Sequence, residues 1–217
     1  MQPITVPDGA IILDTNTKLT RAVMQAVAAY EDPDGRRVFG IERYASLYKI
    51  DTARDADPDE ANMILEYVEA FGMVQHCLAP PSGASVWTAS VEEGSLKGAT
   101  AKAHADLVGY PNPSHLSYDN EDCDGDVAGE IGAWTTELAV RTPCLYTGYA
   151  PGLSKLGLWK LPTIHLYWGA AGSWGPTHCG VAMRQQYPAI RIGGVEFDWN
   201  LAKADALGRR LVLATKD

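Results

Sequence analysis

Long apolar runs are missing from this chain. No 18 consecutive residues are all apolar, so a membrane-spanning helix is not expected. The opening, "MQPITVPDGAIILDTN", has no basic start and no extended apolar stretch, which predicts no signal peptide and synthesis in the cytoplasm. Basic residues are outnumbered, 18 Lys and Arg against 27 Asp and Glu, for a formal charge of −9. A nucleic-acid partner, which requires a basic footprint, is excluded on that balance. Cysteine is scarce: Cys77, Cys123, Cys144 and Cys179 form no C-x-x-C pair, so free thiols are expected rather than a zinc site. Histidine is scarce too, and no H-x-H or H-E-x-x-H occurs. His76-Cys77 and His178-Cys179 are adjacent pairs, which a strand turns to opposite faces, so neither supplies two metal ligands. Glycine is absent from "ILDTNTK" after the first apolar run, where a phosphate-binding turn would need it.

What is present is an alternation. Apolar, strand-like runs fall at 9–14, 36–44, 73–79, 114–119, 143–149, 163–170, 181–187 and 194–200. Helical patterns lie between them at 17–30, 57–72 (with Gly72 as its C-cap), 91–109 and 125–141, with a short turn near 154–158. A last helix is expected over "LAKADALGRRLVL". At 217 residues and 46% hydrophobic, the chain suits one domain over 1–217. Eight strands with mostly helical connections predict an α/β fold, a single compact (β/α)8-type, TIM-like barrel with some helices shortened or missing. A doubly wound open sheet is the second choice.

In such a barrel the C-terminal ends of the strands build the site. Asp14 ends the first strand, Glu42 and Arg43 the second, Gln75 or His76 the third, Asp119 and Glu121 the fourth, and Tyr146 the fifth. Tyr167 or Trp168, Gln185 or Gln186, and Asp198 end the last three. Asp119 and Glu121 share one face of an extended segment, about 6–7 Å apart, while Asn120 points away. Two carboxyls so placed suit glycosidic cleavage, in which one donates a proton and the other stays ionised. Asp122 and Asp124 read as loop acids, Asp124 with Gly125 as a cap for the next helix. Tyr146, Tyr149, Tyr167, Trp168, Trp174 and Trp199 cluster on the late strands, as a carbohydrate cleft or simply as core. Two other chemistries stay open: Asp14, Asp119 and Asp198 as oxygen ligands of a metal-dependent hydrolase, and a cysteine nucleophile at Cys123 or Cys144, neither with an evident His partner.

The segments "DGAIILDTN", "SYDNED", "CLYTGY", "YWGAAG", "RQQY" and "GGVEFDWN" resemble, in order, motifs of the family 25 glycoside hydrolases, the muramidases often found as phage endolysins. Arg43-Tyr44 and Asp57–Gly72 resemble the related bacterial glycoside-hydrolase-like domains of uncertain activity. The resemblance implies cleavage of peptidoglycan glycan strands, with Glu121 as general acid, Asp119 as stabiliser, and Asp14 and Asp198 completing an acidic floor. It implies Tyr146, Trp168, Gln186, Glu42, Arg43 and Asn200 as substrate contacts, no cofactor or resident metal, and a monomer. Its partner would be the cell-wall glycan, reached after release from the cell or on a virion. A non-catalytic glycan-binding or virion structural protein on the same barrel is the alternative.

Overall fold

The computed structural model describes residues 1–76, 87–120, 123–139, 141–147, 157–170 and 180–217. In chain order its first elements are β1 (Gln2–Thr5), β2 (Ile11–Thr15), α1 (Arg21–Ala29), β3 (Val38–Ala45), α2 (Pro58–Ile64), β4 (Ala70–His76) and β5 (Trp87–Ala89). There follow α3 (Val91–Val108), β6 (His115–Asp119), β7 (Cys123–Gly125), α4 (Val127–Glu137) and β8 (Thr142–Thr147). A 3-10 turn at Leu158–Lys160, β9 (Leu166–Gly169), β10 (Met183–Ile192), β11 (Val195–Ala202) and β12 (Val212–Thr215) complete the described chain. Hydrogen bonding runs β4-β3-β2-β11-β10-β9-β8-β6, and β6 pairs back to β4, so eight strands close into the expected barrel.

One strand departs from the parallel pattern. β11 runs antiparallel to both of its neighbours, β10 and β2. Only Gly193 and Gly194 separate β10 from β11, and both have positive φ, 58° and 85°. A two-residue turn of that kind makes a hairpin and leaves no room for a crossover helix. The last helix is likewise not formed. "LAKADALGRRLVL" instead finishes β11, turns at Gly208 and enters β12, where Leu213, like Leu211 just before the strand, is buried. β12 pairs with β1 and β4 and covers the end of the barrel away from the strand C-termini.

The helices start where the side chains can cap them. Thr20, Asp57, Ser90 and Asp126 each accept a hydrogen bond from the backbone N–H three residues on. Asp126 therefore does the capping expected of Asp124, which lies exposed in β7. α3 ends on Gly109 with φ 76°, as a C-cap. α2 is shorter than its pattern predicts: it stops at Ile64, and Gly72 lies inside β4. There it makes space. A Cβ at Gly72 would stand 2.6 Å from Cγ of Glu42 on the next strand. α3 and α4 approach closely through another glycine, since a Cβ at Gly98 would lie 2.7 Å from the Trp134 carbonyl oxygen. Among the described residues no helix is long and apolar enough to cross a membrane.

Alternation along each strand separates two apolar clusters. Ile12, Val74, Cys144, Leu166, Met183 and Leu213 fill the barrel. Leu13, Ile41, Met73, Leu116 and Leu145 face outward and pack with Met24, Ile64, Ala101 and Trp134 of the helices. Each of the Leu, Ile, Val and Met side chains among them, fully buried, contributes about 1.5–3 kcal/mol. Polar groups at the covered end are paired: Val212 N–H donates to His115 Nδ1 at 2.8 Å, and His115 Nε2 meets His165 Nδ1 at 2.8 Å. Burial, helped by His165, pushes the His115 imidazole down to about 3, so it stays neutral.

Candidate active site

The opposite end, where the parallel strands finish, is polar. Parallel register sets Asp14 of β2 beside Glu42 of β3, and antiparallel register sets it beside Asp198 of β11. On the far side Asp119 of β6, Tyr146 of β8 and Trp168 of β9 stand in consecutive register. These side chains share the inner face, and a cavity of about 100 Å³ opens among them. Asp14, Asp119 and Asp198 line it with Tyr146 and Trp168, whose rings meet edge to face at 4.7 Å. Tyr44, Val74 and Gln185 also line it, and no Lys, Arg or His is among the described residues that do.

The carboxylates are held by neutral donors. Asn200 Nδ2 donates to Asp14 Oδ2 at 2.8 Å and to the Ile12 carbonyl at 3.1 Å, and its Oδ1 accepts from Trp168 Nε1 at 2.8 Å. One buried amide thus ties β11 to β2 and β9. Tyr146 Oη donates to Gln185 Oε1 at 2.7 Å, and the Gln185 side chain hydrogen-bonds Asp198. Burial pushes Asp14 up to about 8, against the Asn200 hydrogen bond and with help from the charge of Asp198. Asp198 is also raised, by burial and by Glu196, with Gln185 opposing. Tyr44 is raised by burial and by the surrounding carboxylates Asp14, Asp119 and Asp198. Asp14 therefore carries a proton across the neutral range.

The structure sorts the residues singled out in the sequence. Asp14, Asp119, Asp198, Tyr146 and Trp168 meet around the cavity. Asn200 lies beneath, orienting Asp14 and Trp168 rather than reaching the opening. Glu42 faces inward below the floor and is wholly buried. Arg43, expected as a substrate contact, points the other way. It is bonded to Glu60 Oε1 at 3.0 Å and to the Arg54 carbonyl at 3.1 Å, and donates to the Thr15 carbonyl as well. Consecutive strand residues cannot share a face, so Glu42 inside places Arg43 outside.

Gln186 departs for the same reason. It pairs across from Trp199, its amide donates to the Arg184 carbonyl at 2.9 Å, and Gln185 lines the cavity in its place. Counting by twos from buried Met183 identifies Gln185; Tyr44 follows by the same count from Glu42. Tyr167 turns outward, donating its hydroxyl to the Leu158 carbonyl at 2.7 Å, and packs in the outer cluster with Trp199 at its edge. Cys144 is a buried free thiol held well above the usual range by burial, unsuited to act as a nucleophile. Among the described residues no three His, Cys, Asp or Glu side chains are grouped so as to hold a metal ion. Glu121, Asp122, Cys77, His178, Cys179, Tyr149 and Trp174 lie outside the described residues, as does the side chain of Cys123.

No protein-family model matches the chain, and no curated protein matches it. Solved structures do. An uncharacterized protein of B. stearothermophilus is 18% identical over 90% of this chain and 96% of its own, with a TM-score of 0.65. GHIP, a glycosyl hydrolase 25 of Streptococcus pneumoniae described as a virulence factor in host cell invasion, is 11% identical over 89% of this chain and 87% of its own, at 0.61. The modular autolysin LytC of Streptococcus pneumoniae, solved in complex with a synthetic peptidoglycan ligand, is 14% identical over 88% of this chain and 46% of its own, at 0.58. The chain thus shares the barrel fold of these proteins, a likeness of fold alone.

Proposed function

We propose that the chain is a glycosidase acting on the glycan strands of bacterial peptidoglycan, in the manner of a muramidase. The observation that carries this reading is the convergence of Asp14, Asp119 and Asp198, from three strands, on a cavity walled by Tyr146 and Trp168. Sugar rings present apolar faces to aromatic rings and hydroxyls to carboxylates. Glycosidic cleavage needs one carboxyl that keeps its proton and another that faces developing positive charge at the ring carbon. Burial also sets the two acids beside that pair apart: Asp14 is desolvated and holds its proton, while Asp198 is partly exposed and less strongly shifted. Asp119, closing the opposite wall, is assigned the stabilising role.

Glu121 follows Asp119 by two residues in the sequence and is assigned the proton donated to the leaving oxygen. The names of the neighbours agree with this substrate class, GHIP as a glycosyl hydrolase 25 and LytC as an autolysin with a peptidoglycan ligand.

Release of reducing ends from purified peptidoglycan tests the assignment. Wild type is expected to release them; Glu121→Gln and Asp119→Asn are expected to fall by about 10²–10⁴-fold. If Asp14→Asn falls as far while Glu121→Gln keeps its activity, the proton donor is Asp14 instead. Binding of the glycan without any release would make the barrel a glycan-binding protein.

A further inference from the structure

The cavity is small beside the ligand assigned to it. About 100 Å³ among Asp14, Asp119 and Asp198 cannot enclose successive rings of a glycan, so a polymeric substrate must continue over the rim. One side of that rim is the β10–β11 hairpin. Its ladder is regular from Met183↔Ala202 to Gln186↔Trp199, breaks, and resumes at Ile190↔Phe197. The irregular residues between are Tyr187, Pro188 and Ala189. Bulges beside active sites characteristically re-aim a side chain. Here the break comes directly after the level at which Gln185 and Asp198 line the cavity.

The bulge is held. Trp199 Nε1, from the residue following Asp198, donates to the Pro188 carbonyl at 3.0 Å across it. Beyond the bulge the hairpin packs down again: Phe197 and Ile192 are buried, and Gly193 sits close against Val23 of α1. Tyr187, with Pro188 beside it, is left exposed. It is 85% exposed, the most exposed of the large hydrophobic side chains among the described residues. It stands two residues along the strand from Gln185, about 7 Å at strand rise, and so about one ring beyond the cavity. A tyrosine ring, with two side-chain torsions, has little conformational freedom to lose when an apolar face covers it.

We propose that Tyr187 is a stacking platform for a sugar ring adjacent to the one at the acidic cavity, extending the site along the β10–β11 bulge. This rests on the glycosidase reading above. It deepens that reading by making the substrate an oligosaccharide read over at least two neighbouring rings.

The test uses the full chain, purified peptidoglycan and soluble β-1,4-linked N-acetylglucosamine oligomers. Tyr187→Phe keeps the ring and Tyr187→Ala removes it; an exposed side chain leaves the melting temperature unchanged in both. Tyr187→Ala is expected to weaken oligomer binding, or raise KM, by about tenfold with kcat little altered, whereas Tyr187→Phe retains wild-type affinity. A Tyr187→Ala variant that binds and cleaves like a fully active wild type overturns the platform and leaves the glycosidase reading standing. A wild type that neither binds the oligomers nor cleaves peptidoglycan overturns both.

Discussion

The two walls of this barrel treat buried acids in opposite ways. On the outer wall Glu60 meets Arg43 at 3.0 Å, and Glu130 meets Lys97 at 2.8 Å, with further bonds from Tyr118 and the Ser90 N–H. On the inner wall Asp14 and Glu42 are as deeply buried, yet their neighbours among the described residues are an amide, hydroxyls, a thiol and each other, with no cation. Ser117 lies beside Glu42, but neither Glu42 oxygen has a well-formed hydrogen bond among the described residues. Burial holds Glu42 far above the usual carboxylate range, with Asp14 adding to it. The outer acids fasten helices to the barrel. The inner acids are set by burial to retain protons, and they surround the only place in the described structure where Asp14, Asp119 and Asp198 come together.

The largest expected effect breaks the outer arrangement. Lys97→Met leaves the Glu130 carboxylate without its cation in a dry interface between α3, α4 and β6, and is expected to cost about 3–5 kcal/mol in denaturant unfolding. Replacing Glu130 by Leu in that background should recover much of the loss, because the uncompensated charge is then gone.

The inner wall should answer in the other direction. Asp14→Asn keeps the shape and removes the charge, and is expected to stabilise the chain by about 1–3 kcal/mol at alkaline pH. The sign follows from the raised pKa. Between about pH 4 and 8 the native state holds the Asp14 proton and the unfolded state does not, so wild-type stability falls as pH rises through that window and levels off above it. The gain from Asp14→Asn should therefore be absent near pH 4 and full near pH 9. Urea midpoints for both proteins at pH 4, 6 and 9 check this, and a constant difference across the series would refute it.

The smallest contrast sharpens the alternation itself. Gln185→Ala removes the group that links Tyr146 to Asp198 and is expected to lower peptidoglycan cleavage by about tenfold. Gln186→Ala, one position along, is expected to leave cleavage within about twofold and stability within about 0.5 kcal/mol.

Much of this was legible in one dimension. Strand-like runs ending in Asp14, Asp119 and Tyr146 suffice to place those side chains near one rim, because parallel strands closed into a barrel bring their C-terminal ends together, whereas Asp198 reaches that rim from the interior of antiparallel β11. The errors share a cause. Gln186 and Arg43 were each one residue from the inward position, and period-two alternation turns a one-residue shift into the opposite wall. Gly72 read as a helix cap because its role, making space for Glu42, exists only once β3 and β4 are side by side. β11 read as one more parallel strand, although the Gly193-Gly194 turn before it already specified a hairpin.

By itself, then, the sequence determined the alternation of strands and helices, the acidic helix start at Asp57, and the acids Asp14 and Asp119 at the ends of their strands. These follow from local geometry, in which each residue acts on neighbours a few positions away. Only the tertiary structure decided which of the acids are charged. Whether Asp14 keeps a proton depends on how much water reaches it and whether a cation stands within a few ångströms. Both are properties of the closed barrel, where residues nearly two hundred positions apart, such as Asp14 and Asn200, become hydrogen-bonded neighbours.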